Sequence, residues 1–176
     1  MKRINLIFWL LVLYSSSLTA QSFKVVGYLP SYRSNLKIEY DKLTHLCLSF
    51  VNPSNSEGIL THNFSNLSTI VTKAHEQNVK VLISIGGGGL SSEMEENYST
   101  LMKLDNRADF ITKLLDFLKD NKLDGLDVDL EGDLVSNTNY NDFVIALGDS
   151  IKSRNSDYLL TAAYTCLLYT SPSPRD

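Results

Sequence analysis

From Asp124 to Glu131 the chain reads Asp-Gly-Leu-Asp-Val-Asp-Leu-Glu, with acidic and aliphatic residues in alternation. Successive side chains of an extended strand point to opposite faces, so Asp127, Asp129 and Glu131 share one face while Leu126, Val128 and Leu130 share the other. The Leu and Val face can only pack against apolar groups, which commits the segment to a buried sheet with three carboxylates on its opposite side. Neighbouring acids stand roughly 6.5 to 7 Å apart at about 3.3 Å of rise per residue, close enough for like charges to oppose full ionisation. One of the three is therefore expected to hold a proton near neutral pH, and a carboxylic acid that stays protonated is a general acid. Asp124 lies on the other parity and starts the strand.

The residues also allow two plainer readings. Asp127, Asp129, Glu131 and Gly132 imitate the start of a helix-loop-helix calcium site, but Thr138 stands where the bidentate Glu should be, and Val128 and Leu130 belong in a strand. A solvated acidic edge is the other, opposed by the apolar alternation.

The rest of the chain sets the architecture around this strand. Lys24 to Leu29, Leu43 to Val51 and Lys80 to Ile85 are short apolar runs of strand length, bounded by Pro and Asn. Phe64, Leu67, Ile70, Val71 and Ala74 fall on one helical face; Phe110, Ile111, Leu114, Leu115 and Leu118 form a second, ended near Asn121. A third comprises Tyr140, Phe143, Val144, Leu147 and Ile151, followed by Tyr158 to Tyr164 as a strand. Repeated β then α with buried strands predicts a parallel sheet flanked by helices, an α/β class.

At this point the residues carry a resemblance. Asp124 to Glu131 resembles the Asp-x-x-Asp-x-Asp-x-Glu signature of glycoside hydrolase family 18, the chitinases and their relatives, and Ser84-Ile85-Gly86-Gly87 resembles the family's Ser-x-Gly-Gly motif. Val26 to Pro30, Leu43 to Phe50, Asn106 to Ile111 and Leu160 to Ala163 are similar to the family's first strand, second strand, third-helix start and fifth strand. The resemblance implies a (β/α)8 TIM barrel. Such a barrel runs to about 250 residues, so this chain is expected to be truncated after about the fifth strand.

The resemblance further implies substrate-assisted retaining hydrolysis of β-1,4-linked N-acetylglucosamine polymers, chitin or chitooligosaccharides. Glu131 would be the general acid and base, Asp129 would orient the substrate's acetamido group, and Asp127 would lie deeper and share a proton with Asp129. Ser84 could donate to Asp127. Gly86 and Gly87 would let the backbone approach the sugar or pack closely; a hinge from Gly86 to Gly89 is the plainer alternative. Tyr28 and Phe50 are candidate walls of a sugar pocket, or simply core. Two rival functions stay open: an endo-β-N-acetylglucosaminidase acting on N-glycans, and a non-catalytic chitin-binding lectin, although such lectins typically lack the acid that Glu131 supplies. Glu131 is followed by Gly132-Asp133-Leu134, where many family chitinases carry an aromatic residue and Pro. The family's later Tyr and Trp contacts have no counterpart here, so the chain as written is expected to be inactive alone.

The two ends read differently from the middle. Residues 1–20 carry Lys2 and Arg3, an apolar run from Ile4 to Tyr14 and a close in Thr19-Ala20, which reads as a signal peptide too short to span a bilayer, with a signal anchor as the alternative. Residues 21–165 are expected to be the N-terminal part of the catalytic barrel. Residues 166–176, Cys-Leu-Leu-Tyr-Thr-Ser-Pro-Ser-Pro-Arg-Asp, resemble one translated frame of a transposon adapter used in sequencing libraries. The expectation is a secreted or periplasmic protein with no stable membrane span once the signal is cut.

Setting aside Lys2, Arg3, Arg175 and Asp176 reduces 16 basic and 20 acidic residues to 13 and 19, a net charge of −6. That balance argues against a nucleic-acid partner and leaves a carbohydrate as the expected one. With Cys166 in the tail, Cys47 is the remaining cysteine and implies no disulfide. His45, His62 and His75 are scattered, so neither a metal site nor an organic cofactor is expected. Asn63, Asn66 and Asn97 begin Asn-x-Ser sequons that matter only in a glycosylating host.

Overall fold

The computed structural model describes residues 23–163; the expected leader, the adapter-like tail and Tyr164 lie outside them. Five parallel strands form one sheet in the order β1 (Val26–Pro30), β2 (His45–Ser49), β5 (Lys80–Gly86), β6 (Gly125–Asp129) and β7 (Leu159–Ala162). A two-stranded antiparallel ribbon, β3 (Asn52–Pro53) with β4 (Leu60–Thr61), follows β2. The helices are α1 (Leu67–Glu76), α2 (Ser92–Leu101), α3 (Leu104–Asp120) and α4 (Tyr140–Arg154). This is the strand order and sense of the first five strands of a (β/α)8 barrel. β1 and β7 are its edges, and Val26 and Tyr28 on β1 are each 50% exposed.

The apolar core fills the space between the sheet and its helices. Leu46, Leu48, Val81, Ile83, Ile85, Leu126 and Val128 face it from the strands, and Ile70, Val71, Phe110, Leu114, Leu118, Phe143, Leu147 and Ile151 from the helices. Burying each such side chain contributes roughly 1.5 to 3 kcal/mol, which is why the helical stripe residues decide where the helices dock. Phe110 stacks on Phe143 at 5.8 Å and meets the edge of Tyr98 at 6.2 Å.

The structure differs from the sequence expectation in several places. Helix α2 was not foreseen: its sequence is acidic and only Tyr98 and Leu101 are buried, so it shows almost no apolar stripe. It is started locally, by Ser91 accepting from the Met94 N–H with Glu93 and Glu95 in the first turn. The β3–β4 ribbon was too short to signal itself by alternation. Phe64 is buried but precedes α1. The strand expected to run to Glu131 loses its ladder after Asp129; Leu130 and Glu131 leave it, Glu131 in extended geometry (φ −127°, ψ 170°) before a short 3-10 turn at Gly132–Leu134.

Candidate active site

The parallel register stacks a row, polar from Ser49 onward, across the non-core face of the sheet. Pro30, Ser49, Ser84, Asp127 and Thr161 are successive partners in β1, β2, β5, β6 and β7. Asp127 is 1% exposed, and a buried carboxylate needs donors. It has three: Ser84 Oγ donates to Oδ2 at 2.8 Å, Tyr28 OH to Oδ2 at 3.0 Å and Thr161 Oγ1 to Oδ1 at 2.6 Å. Both carboxylate oxygens are thereby held. Burial, then the Asp127 charge, pushes the Tyr28 phenol well above its usual range. The same two causes, partly offset by a hydrogen bond with Tyr28, push the neighbouring Cys47 thiol up to about 12, so this cysteine stays an unreactive thiol.

The three acids emerge progressively from the sheet. Asp127 is buried, Asp129 is intermediate and Glu131 is exposed. Burial, then the charges of Glu131 and Asp127, raises the Asp129 carboxyl above its ordinary value. Neither the Asp129 nor the Glu131 carboxyl group accepts a hydrogen bond from another described residue, so both are available to a ligand. An exposed carboxyl at a strand end can exchange a proton with such a ligand while the half-buried acid beside it answers any positive charge that develops.

Gly86 and Gly87 are buried, at φ +104° and +99°. A Cβ on Gly86 would lie 2.3 Å from the Asp129 carbonyl oxygen, and one on Gly87 would lie 2.6 Å from the Phe50 ring. Both positions are closely packed against neighbouring elements. Gly88 is exposed, and a Cβ there would come 2.9 Å from Glu131 Oε2. The Ser49–Phe50 peptide bond is cis. Phe50 and Tyr28 line a cleft of about 520 Å³ with Tyr32, Asn52, His62 and Met94. This cleft opens at the C-terminal ends of β1 and β2, the end of the sheet at which Gly86 and Asp129 close their strands, where barrel enzymes bind substrate.

Three residues of this site went unread in the sequence. Thr161 sits in a strand of otherwise ordinary composition, and Asn52 and Tyr98 come from the ribbon and from α2, the two elements without a periodic signal. Asn52 binds the Gly86 peptide groups, and Tyr98 binds Asn52. Among the described residues no three His, Cys, Asp or Glu side chains converge where a metal ion could be held, and no helix is long and apolar enough to cross a membrane.

Asp124 sits at the opposite end of β6 and acts on the fold. Its carboxylate accepts from Val81 N at 2.8 Å and Lys80 Nζ at 2.7 Å, and lies 2.7 Å from His75 Nε2. Burial alone would raise its pKa, but Lys80, the Val81 N–H and His75 together hold it below the ordinary value. A depressed carboxylate contributes stability above its unfolded pKa of about 3.9, and that stability is lost as pH falls through the lower folded value. Asp124→Ala is expected to cost the full-length protein about 2 kcal/mol near pH 7, largely from the orphaned Val81 N–H. Urea unfolding at pH 7 and pH 3 should show the difference from wild type shrinking at the lower pH; an equal difference at both would contradict it.

Residues 24–169 match the family described as Glycosyl hydrolases family 18. The chain is similar to the GH18 chitinase ChiB from the chitin utilization locus of Flavobacterium johnsoniae, at 34% identity and a TM-score of 0.76, over 85% of this chain and 49% of that structure. It is similar to a chitinase-like effector of Moniliophthora perniciosa, 31% identical over 119 residues, covering 63% of this chain and 26% of the relative. It is also similar to the secreted chitinase LysM12 of Penicillium expansum, 24% identical over 164 residues, covering 81% of this chain and 11% of the relative. The chain thus spans about half the length of the solved structure and a smaller part of the two fungal proteins. With two sequence motifs meeting at one end of a parallel sheet, and a match over most of its residues, the chain belongs to glycosyl hydrolase family 18.

Proposed function

We propose that the full-length protein carrying this chain hydrolyses β-1,4-linked N-acetylglucosamine chains, chitin or its oligosaccharides, with net retention. The observation that carries this reading is the graded emergence of three acids from one strand: Asp127 buried and triply bonded, Asp129 half-buried, Glu131 exposed. The names of the similar proteins support the substrate class.

In the first step the substrate's acetamido carbonyl oxygen bonds to the anomeric carbon as the glycosidic C–O bond breaks, and Glu131 gives its proton to the departing oxygen. The product is a cationic oxazolinium ion. Asp129 orients the acetamido group and offsets that charge. Its own negative charge is disfavoured in the resting site by burial and by Glu131 and Asp127, so an adjacent cation relieves the strain at the moment the charge develops. Asp127, fixed by Tyr28, Ser84 and Thr161, gives Asp129 a rigid neighbour. In the second step Glu131 takes a proton from water as the water oxygen bonds to the anomeric carbon and the ring of the oxazolinium opens. A protein acting on extracellular polymer belongs outside the cytosol, in keeping with the name of the secreted relative.

The test offers the full-length protein chitooligosaccharides, the same oligosaccharides deacetylated, and an N-glycosylated protein. Cleavage of the first set to β-anomer product, with none of the second, is the expected result. Release of N-glycans alone would replace this reading with an endo-β-N-acetylglucosaminidase, and binding without cleavage would replace it with a lectin.

A further inference from the structure

We propose that Asn52 and Tyr98 are positioning residues for Asp129, acting through the main chain of Gly86 and Gly87. The inference rests on the role given to Asp129 above and extends it to residues outside both sequence motifs.

The need for Asn52 arises where β2 ends before β5 does. Ser49 is the last β2 residue to pair with β5, at Ser84, and one more bond follows, Val51 N to Ser84 O at 3.0 Å. Beyond it the β2 side of Gly86 has no strand, yet Gly86 is buried and its peptide groups need partners. The Asn52 amide supplies both: Gly86 N donates to Oδ1 at 2.7 Å and Nδ2 donates to Gly86 O at 3.0 Å. A side chain with one acceptor and one donor side by side thus stands in for a rung of the ladder. Asp would set a second acceptor against the Gly86 carbonyl, and Ala would leave both groups unpaired.

On its other side Gly86 touches the Asp129 carbonyl too closely for any Cβ, and Gly87 N donates to that carbonyl at 2.7 Å. Any displacement of the Gly86–Gly87 peptide is therefore passed directly to the Asp129 main chain. Tyr98 fixes the other end of the line. It is 0% exposed, its ring is held against Phe110, and its hydroxyl donates to Asn52 Oδ1 at 2.7 Å. Burial holds the phenol well above its ordinary range, with the Gly86 backbone drawing it partly back, so the hydroxyl remains a donor. Asn52 lines the cleft whereas Tyr98 does not, which makes Tyr98 the cleaner probe of transmission.

The experiment is a double-mutant cycle in the full-length protein on chitooligosaccharides, with Tyr98→Phe, Asp129→Asn and the pair, and with melting temperatures recorded. Tyr98→Phe is expected to lower kcat roughly tenfold with KM within about twofold, since sub-ångström misplacement of a reacting group is costly. In the Asp129→Asn background the same change should lower the residual kcat by less than about twofold, because the group it positions is gone. A full tenfold effect in both backgrounds would mean general damage and overturn the inference, as would an unchanged kcat in Tyr98→Phe beside an inactive Asp129→Asn. Full activity in Asp129→Asn would instead overturn the role of Asp129 itself, and this inference with it.

Discussion

Glu131→Gln in the full-length protein is expected to reduce cleavage of chitooligosaccharides by about 10³-fold while leaving their binding within a few-fold of wild type. Gln keeps the shape and can still donate an N–H, but it has no proton to transfer to the departing oxygen and no basic oxygen to take one from water. Both steps therefore suffer. An aryl glycoside, whose leaving group needs little protonation, should lose less in the step that releases the aryl group. The comparison is made with initial rates on both substrates and calorimetric titration of the oligosaccharide. A variant that keeps more than about a tenth of the wild-type rate would remove Glu131 from the role of acid. Because Glu131 is exposed and its carboxyl group accepts no hydrogen bond from the described residues, the substitution should barely change the melting temperature.

Gly86→Ala is expected to cost about 4 kcal/mol or more of the full-length protein's stability. The backbone there has φ +104°, and the new Cβ would stand 2.3 Å from the Asp129 carbonyl oxygen and 2.6 Å from its carbon. Both obstacles are main chain, so no side chain can turn aside and β5 must separate from β6. The partners of Asn52 and the Gly87 bond to Asp129 would be disturbed together, and hydrolysis should be lost with them. Gly132→Ala is the control. It shares a positive φ of +59° but has nothing within 4 Å, so it should cost about 1 kcal/mol, the ordinary penalty for the left-handed region. Denaturant midpoints of the two variants would decide the matter, and a Gly86→Ala cost near that of the control would refute the close approach.

What could be read in the chain alone was whatever a local period carries. Alternation in Asp124 to Glu131 separated Leu126, Val128 and Leu130 from Asp127, Asp129 and Glu131, and the fold keeps that separation because one face meets the helices and the other does not. Helices α1, α3 and α4 announced themselves through apolar stripes, since burying such a stripe is what docks a helix. The alternation did not show where the ladder stops. β6 ends at Asp129 because pairing depends on how far β7 and β5 run alongside it, which is a property of three separated segments.

The supporting residues of the site were decided by tertiary structure alone. Asn52 stands 34 residues from Gly86 and 46 from Tyr98, while Thr161 stands 34 from Asp127 and Tyr28 stands 99 from it. No window along the sequence relates such positions. Nor did the acids' spacing say that the charge on Asp129 would be disfavoured; that follows from its half-buried place between Glu131 and Asp127. The sequence determined that three carboxylates would share one face of a buried strand, because side-chain parity is local. Only the assembled sheet determined what each carboxylate meets, because donors, burial and neighbouring charge come from strands and helices that the chain brings together across long separations.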